Sequence, residues 1–179
     1  MGGIFGPVEA RKVLAKTERT YALWREDLES RDGEDFGRAP AAGGWSLGQI
    51  SDHVTLVSSA FLEAAEALTR GEGEERGGGF LAAVMCGVFR SFPPFRLKVP
   101  PNLPDEVMRA ADPDSLPKAE ALERFAAVLR RTRDLCGAVA AAPRRLRLEH
   151  PVLGWVNARQ WYQLSEMHMR HHLRQLRRT

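Results

Sequence analysis

Cysteine is scarce. Cys86 and Cys136 are the only two, and they form no Cys-x-x-Cys pair. That usage fits a reducing cytoplasm and thiols that pack rather than react. Long apolar runs are also missing. The longest, Phe80 to Phe89, is about half of what a bilayer needs. The opening Met-Gly-Gly-Ile-Phe-Gly-Pro lacks a positive region followed by an apolar run, so it does not read as a signal peptide. No membrane partner is expected, and a cytoplasmic protein is the default. Sustained apolar–polar alternation is absent, as are Asn-Gly or Asp-Gly turns between apolar strands. This predicts an all-α chain without a sheet of three or more strands. No internal repeat is visible.

Several chemistries lack their signatures. There is no Ser-His-Asp arrangement, phosphate loop or dinucleotide turn. Gly77-Gly78-Gly79 is neither preceded by a strand nor followed by Gly-Lys-Thr. Few aromatics stand among the arginines of the C-terminal half (Arg124, Arg130, Arg131, Arg133, Arg144, Arg145, Arg147, Arg170, Arg174, Arg177, Arg178). A stacking platform for single strands is therefore not expected. With a net charge of only +3, those arginines read as solvated helix faces, and a nucleic-acid partner is not expected.

What is present is helical. The 179 residues read as one domain, 1–179, large enough for a real core. A first helix runs from Pro7 to Ser30, with Val8, Val13, Leu14, Tyr21, Leu23, Trp24 and Leu28 as its stripe. The second has the clearest start. Ser46 and Gln49 form a capping box, and Trp45 and Ile50 are placed as a hydrophobic staple. It runs to about Arg70. Ile50, Val54, Val57, Phe61, Ala64 and Leu68 fall within about 80° of arc, with His53 at one edge. The Gly- and Glu-rich stretch 71–79 reads as mobile, and Phe80 to Phe89 as a short helix. Pro93-Pro94 and Pro100-Pro101 enforce extended chain within a long link to Pro117, in which Asp105 to Ala111 has room for a turn or two. Pro117 suits the first position of a third helix, which reaches Ala142 on Leu122, Phe125, Ala126, Leu129, Leu135 and Val139. Leu146 and Leu148 mark a short extended piece. Asn157 then caps the last helix, whose core stripe centres on Trp161. Four amphipathic helices with a long second-to-third link make a four-helix bundle.

Three of the five histidines lie in the last helix. His168 and His172 are four apart, which stacks them about 6 Å apart on one face, and both point into the core. Imidazoles so placed can share a metal at about 2.0–2.1 Å each. Burying them without partners costs free energy. His53, facing a neighbouring helix, is the best third ligand. Three ligands leave a fourth position for water or a thiolate, as in catalytic sites. His171 lies at the margin of the stripe, and His150, before Pro151, reads as a loop residue. Gln175 is a candidate outer donor.

The segments Gly44-Trp45-Ser46-Leu47-Gly48-Gln49-Ile50-Ser51-Asp52-His53 and His168-Met169-Arg170-His171-His172-Leu173-Arg174-Gln175 resemble the DinB/YfiT-like family of metal-dependent enzymes. They match its Trp-Ser…His helix start and its closing His-x-x-x-His-x-x-Gln. His150-Pro151-Val152-Leu153-Gly154-Trp155 and Trp161 resemble the loop before the last helix in one branch. Arg174 departs from the pattern, where a small residue is frequent. The resemblance implies a four-helix bundle and a homodimer. It also implies a divalent metal, zinc or nickel, on His53, His168 and His172. Relatives of that kind act on small molecules with bacillithiol, mycothiol or glutathione. Large apolar side chains such as Trp24, Phe89, Phe92 and Phe95 also point to a dimer, because four helices lack room for them. Two readings follow. One is a metal-dependent enzyme, a thiol-dependent S-transferase or hydrolase. The other is a non-catalytic helical-bundle dimer or small-ligand-binding protein whose histidines are merely packed.

Overall fold

The computed structural model describes residues 9–41, 43–90 and 109–176, apart from the side chain of residue 175. The expectations for Pro7, Val8, Phe92, Phe95, the prolines at 93–94 and 100–101, the stretch 105–108, the Gln175 side chain, Arg177 and Arg178 lie outside those residues.

Four long helices carry the chain, as expected. In chain order the elements are α1 (Ala10–Glu29), α2 (Gly33–Phe36), α3 (Leu47–Thr69), β1 (Glu74–Glu75), α4 (Phe80–Ala83), α5 (Lys118–Ala141), β2 (Leu146–His150), β3 (Gly154–Val156) and α6 (Ala158–Leu176). α4 widens directly into a π-helical turn, Val84–Phe89. α3 packs on α5 and α6, and α1 packs on the same two.

The helix boundaries have local causes. Ser46 accepts the Gln49 amide and Gln49 reaches back to the Ser46 N–H, so the capping box starts α3 one residue later. Asn157 and Gln160 form the same reciprocal pair ahead of α6. Pro117 stays extended (ψ 148°) and precedes α5 rather than beginning it. The Lys118 ammonium donates to the Glu29 and Arg31 carbonyls and so closes the open end of α1.

Burial departs from the simple stripes. On α3 the buried residues include Ser51, Asp52, Thr55, Ser58, Leu62 and Ala65. Those six centre roughly 120° from the apolar stripe, toward small polar residues, and Ile50, Val54 and Leu68 of the stripe are buried as well. α6 is buried on every side from Trp161 to Met169. Leu23 is exposed, while Trp24 is fully enclosed and stacks on Phe125 at 4.6 Å. The bundle therefore does have room for Trp24, whereas Phe89 lies on the surface.

The expectation of no three-stranded sheet is corrected. β1, β2 and β3 form a small antiparallel sheet, with Glu74 opposite Arg147 and Leu148 opposite Val156. Its strands are of two, five and three residues, too short to show alternation. The stretch 71–79 is thus tied down at β1, and Gly79 donates its amide to the Trp155 carbonyl. A Cβ at Gly79 would clash with the Leu153 carbonyl oxygen.

Gly48 has a comparable role on α3. A Cβ there would meet the Leu116 carbonyl oxygen at 2.6 Å and its amide nitrogen at 2.8 Å. Helix propensity alone favours alanine over glycine by about 1 kcal/mol. Gly48→Ala is nevertheless expected to destabilise the protein by about 1–3 kcal/mol, through overpacking against that backbone. Urea unfolding of both proteins measures the sign.

Candidate metal centre

α3 and α6 meet along a seam that carries all three predicted ligands. One nitrogen from each of His53, His168 and His172 lies within 4.8 Å of the other two. The ring centroids are 4.9 Å apart for His53–His168, 4.8 Å for His53–His172 and 4.6 Å for His168–His172. His168 is buried, while the other two are half-buried. The capping box fixes the register of α3 and therefore the direction of His53. Trp45 lies against the His53 ring at 4.9 Å.

His53 Nδ1 lies 2.6 Å from the Ala110 carbonyl oxygen. A carbonyl can only accept, so the proton sits on Nδ1 and the lone pair on Nε2. An imidazole held by its far N–H in this way is the usual arrangement of a metal-ligating histidine. The donor set fits a divalent cation for that reason.

Burial lowers the pKa of His53, against an opposing pull from the Ala110 bond and from Asp52. His168 is lowered further, by burial first and then by the neighbouring His172, His53 and His171. Both are therefore neutral at pH 7. His171 is lowered by burial and by Arg174. Its ring is 5.0 Å from His172, but it is not one of the three converging residues.

His150 is not a loop residue. It ends β2 and lies half-buried, stacked on Trp161 at 5.1 Å, with Phe61 at 5.7 Å. Its Nδ1 accepts the amides of Val152 and Leu153, which puts the proton on Nε2. Phe61 links this pair to the cluster, 5.6 Å from Trp161 and 6.0 Å from His168. Among the described residues, the buried Trp161 Nε1 and Ser165 Oγ have no hydrogen-bond partner. Helical spacing places both on the face of α6 that carries His168 and His172.

Sequence reasoning missed the residues that surround His53. Asp52, with no exposed surface, accepts from Arg109, Arg124 and the Asp114 amide. The one available signal was an acid beside His53 on a helix whose register the cap already fixed. Arg109 and Ala110 carried no signal, because a long irregular link gives no register.

The family model of the DinB superfamily matches residues 16–176. No curated protein and no solved structure matches the chain.

Burial pushes His150 down to about 4 from an ordinary 6.5. The unfolded chain then binds the extra proton between those values, so stability falls as pH drops from about 6.5 toward about 4. His53 and His168 act in the same direction. His150→Asn keeps an acceptor for the two amides but does not titrate. It should remove about one proton from the slope, up to ~1.4 kcal/mol per pH unit. Denaturant unfolding of metal-free protein between pH 7 and 4 measures this.

Proposed function

The chain belongs to the DinB superfamily, and from that premise and the three converging imidazoles we propose that it is a metal-dependent enzyme. The cluster carries the reading: three histidine nitrogens within 4.8 Å of one another, drawn from two helices. Three such ligands suit a divalent ion, zinc or nickel, and leave a position for a small-molecule substrate. Bound there, the ion would supply Lewis-acid chemistry to an oxygen or sulfur atom. We place the activity among thiol S-transferases, with a low-molecular-weight thiol as cosubstrate, and hydrolases. A single domain over residues 1–179, a homodimer and a cytoplasmic setting belong to the same proposal. Among the described residues, no helix is long and apolar enough to cross a membrane.

The chain's own groups have distinct tasks. His53 turns Nε2 outward because Nδ1–H is committed to Ala110. Burial keeps His53 and His168 unprotonated, so their lone pairs are available at neutral pH. Phe61, Trp161 and His150 give the cluster an apolar flank that favours an organic substituent over water.

Protein prepared without a histidine tag or chelator is expected to hold about one zinc or nickel per chain. His53→Ala, His168→Ala and His172→Ala should each weaken binding beyond the ~10–100-fold that an outer partner costs. His171→Ala and His150→Ala should keep the metal. Elemental analysis and chelator competition read both. Equal binding by all five variants, or none by the parent, would leave the packed-histidine reading, a non-catalytic bundle or small-ligand binder.

Protons compete with the metal for the same lone pairs. Because His53 and His168 are shifted down, release on acidification is expected below pH 6.5, the ordinary imidazole value. Release centred above that pH would contradict the assignment.

A further inference from the structure

We propose that Asp52 is a positioning residue for the histidine cluster, acting on His53 through the backbone of the segment 109–114. The inference rests on the metal-site reading for its consequence, although its geometry stands apart from it. Asp52 and His53 are adjacent on α3 and face different neighbours. The Asp52 carboxylate has no exposed surface. Oδ1 takes the Arg124 guanidinium at 2.6 Å. Oδ2 takes two donors, Arg109 Nη1 at 3.1 Å and the Asp114 backbone amide at 2.8 Å. Both Oδ2 donors come from one short segment, and Ala110 lies between them. Ala110 is itself buried, and its carbonyl accepts the His53 Nδ1 proton at 2.6 Å. Asp52 thus grips the segment at Arg109 and at Asp114, and Ala110, next to the first of these, orients His53.

Residues 113–115 are attached to the same side of α3. Gln49 Nε2 donates to the Pro113 carbonyl at 3.3 Å, and the Ser46 and Ser115 hydroxyls lie 3.1 Å apart. These contacts fix residues 113–115. They do not reach back to Ala110, whereas the Arg109–Asp52 bond does. A buried carboxylate of this kind is weak evidence for stability, since its desolvation offsets much of its Coulombic gain. Its specific effect is to hold one carbonyl oxygen where one imidazole N–H needs it. Without that acceptor the His53 proton is free to sit on Nε2, and the nitrogen offered to a cation would then carry a hydrogen.

The test uses two variants of the full chain, Asp52→Asn and Arg109→Gln. Nitrogen–proton correlation spectra of the metal-free protein report which ring nitrogen of His53 is protonated. The parent should show the Nδ1–H form. Both variants should move toward Nε2–H, Asp52→Asn more than Arg109→Gln. Zinc affinity by chelator competition should fall about 10–100-fold in Asp52→Asn, the usual cost of an outer partner, and less in Arg109→Gln. The tautomer is the readout that a merely structural role would not move. If both variants keep the Nδ1–H form and the parent's zinc affinity, Asp52 only packs and the proposal falls. If Asp52→Asn does not fold, the half-exposed Arg109 still decides through its own variant. If the parent binds no zinc, the metal reading fails, and the tautomer alone decides whether Asp52 positions His53.

Discussion

A helix buried on every side has nowhere to send its polar atoms except into its neighbours. From Trp161 to Met169, α6 is in that position, and an unmatched polar group there would cost roughly 1–3 kcal/mol. The matches join the molecule together. Glu166 takes Arg170 on its own helix and Thr20 on α1. Tyr162 donates to the Thr132 carbonyl of α5. Gln163 donates to the Cys86 carbonyl, which lies in the π-helical turn, where i→i+5 pairing replaces the regular helical ladder. Trp24 of α1 donates to the Met169 carbonyl. Along the α3 seam the same face carries the histidines. Each element packed on α6 thus adds a directional bond or a ring contact to its hydrophobic area.

The charges around the cluster leave nitrogen alone among its candidate ligands. Asp52 is already matched by Arg109 and Arg124, and Glu166 by Arg170. Both carboxylates sit next to or near the histidines in sequence, yet both are engaged by guanidinium groups. An all-imidazole set suits zinc, copper, iron or nickel, whereas magnesium and calcium favour oxygen ligands.

How much could be read from the chain depended on how local the cause was. The start of α3 and the cap of α6 were legible because Ser46, Gln49, Asn157 and Gln160 act within one turn. The directions of His168 and His172 followed from the register of α6, and the cap of α3 fixed where His53 falls along that helix. The facing of α3 was not legible, because Ser51 and Thr55 bury a side that hydrophobicity marks as polar. Small hydroxyls achieve this by bonding back to their own helix, as Ser51 does to Leu47 and Thr55 to Ser51. The small sheet depends on pairing between β1 and β2, far apart in sequence, and no window holds both. The grip of Asp52 on residues 109–114 was hidden for the same reason.

The bond from Trp24 to the Met169 carbonyl spans 145 residues of sequence, and this sets an order of events during synthesis. α1 is made well before α6. At ribosomal speeds of about 5–20 residues per second, the wait between them is on the order of ten seconds. Until then the Trp24 indole has neither its carbonyl nor the α6 side of its pocket. The nascent chain therefore carries a large apolar ring whose cover stays incomplete until α6 is made, and closing so long a loop is entropically costly. Synthesis that stops short of α6 leaves α1 without its final docking site, and a chaperone or protease has that interval in which to find it.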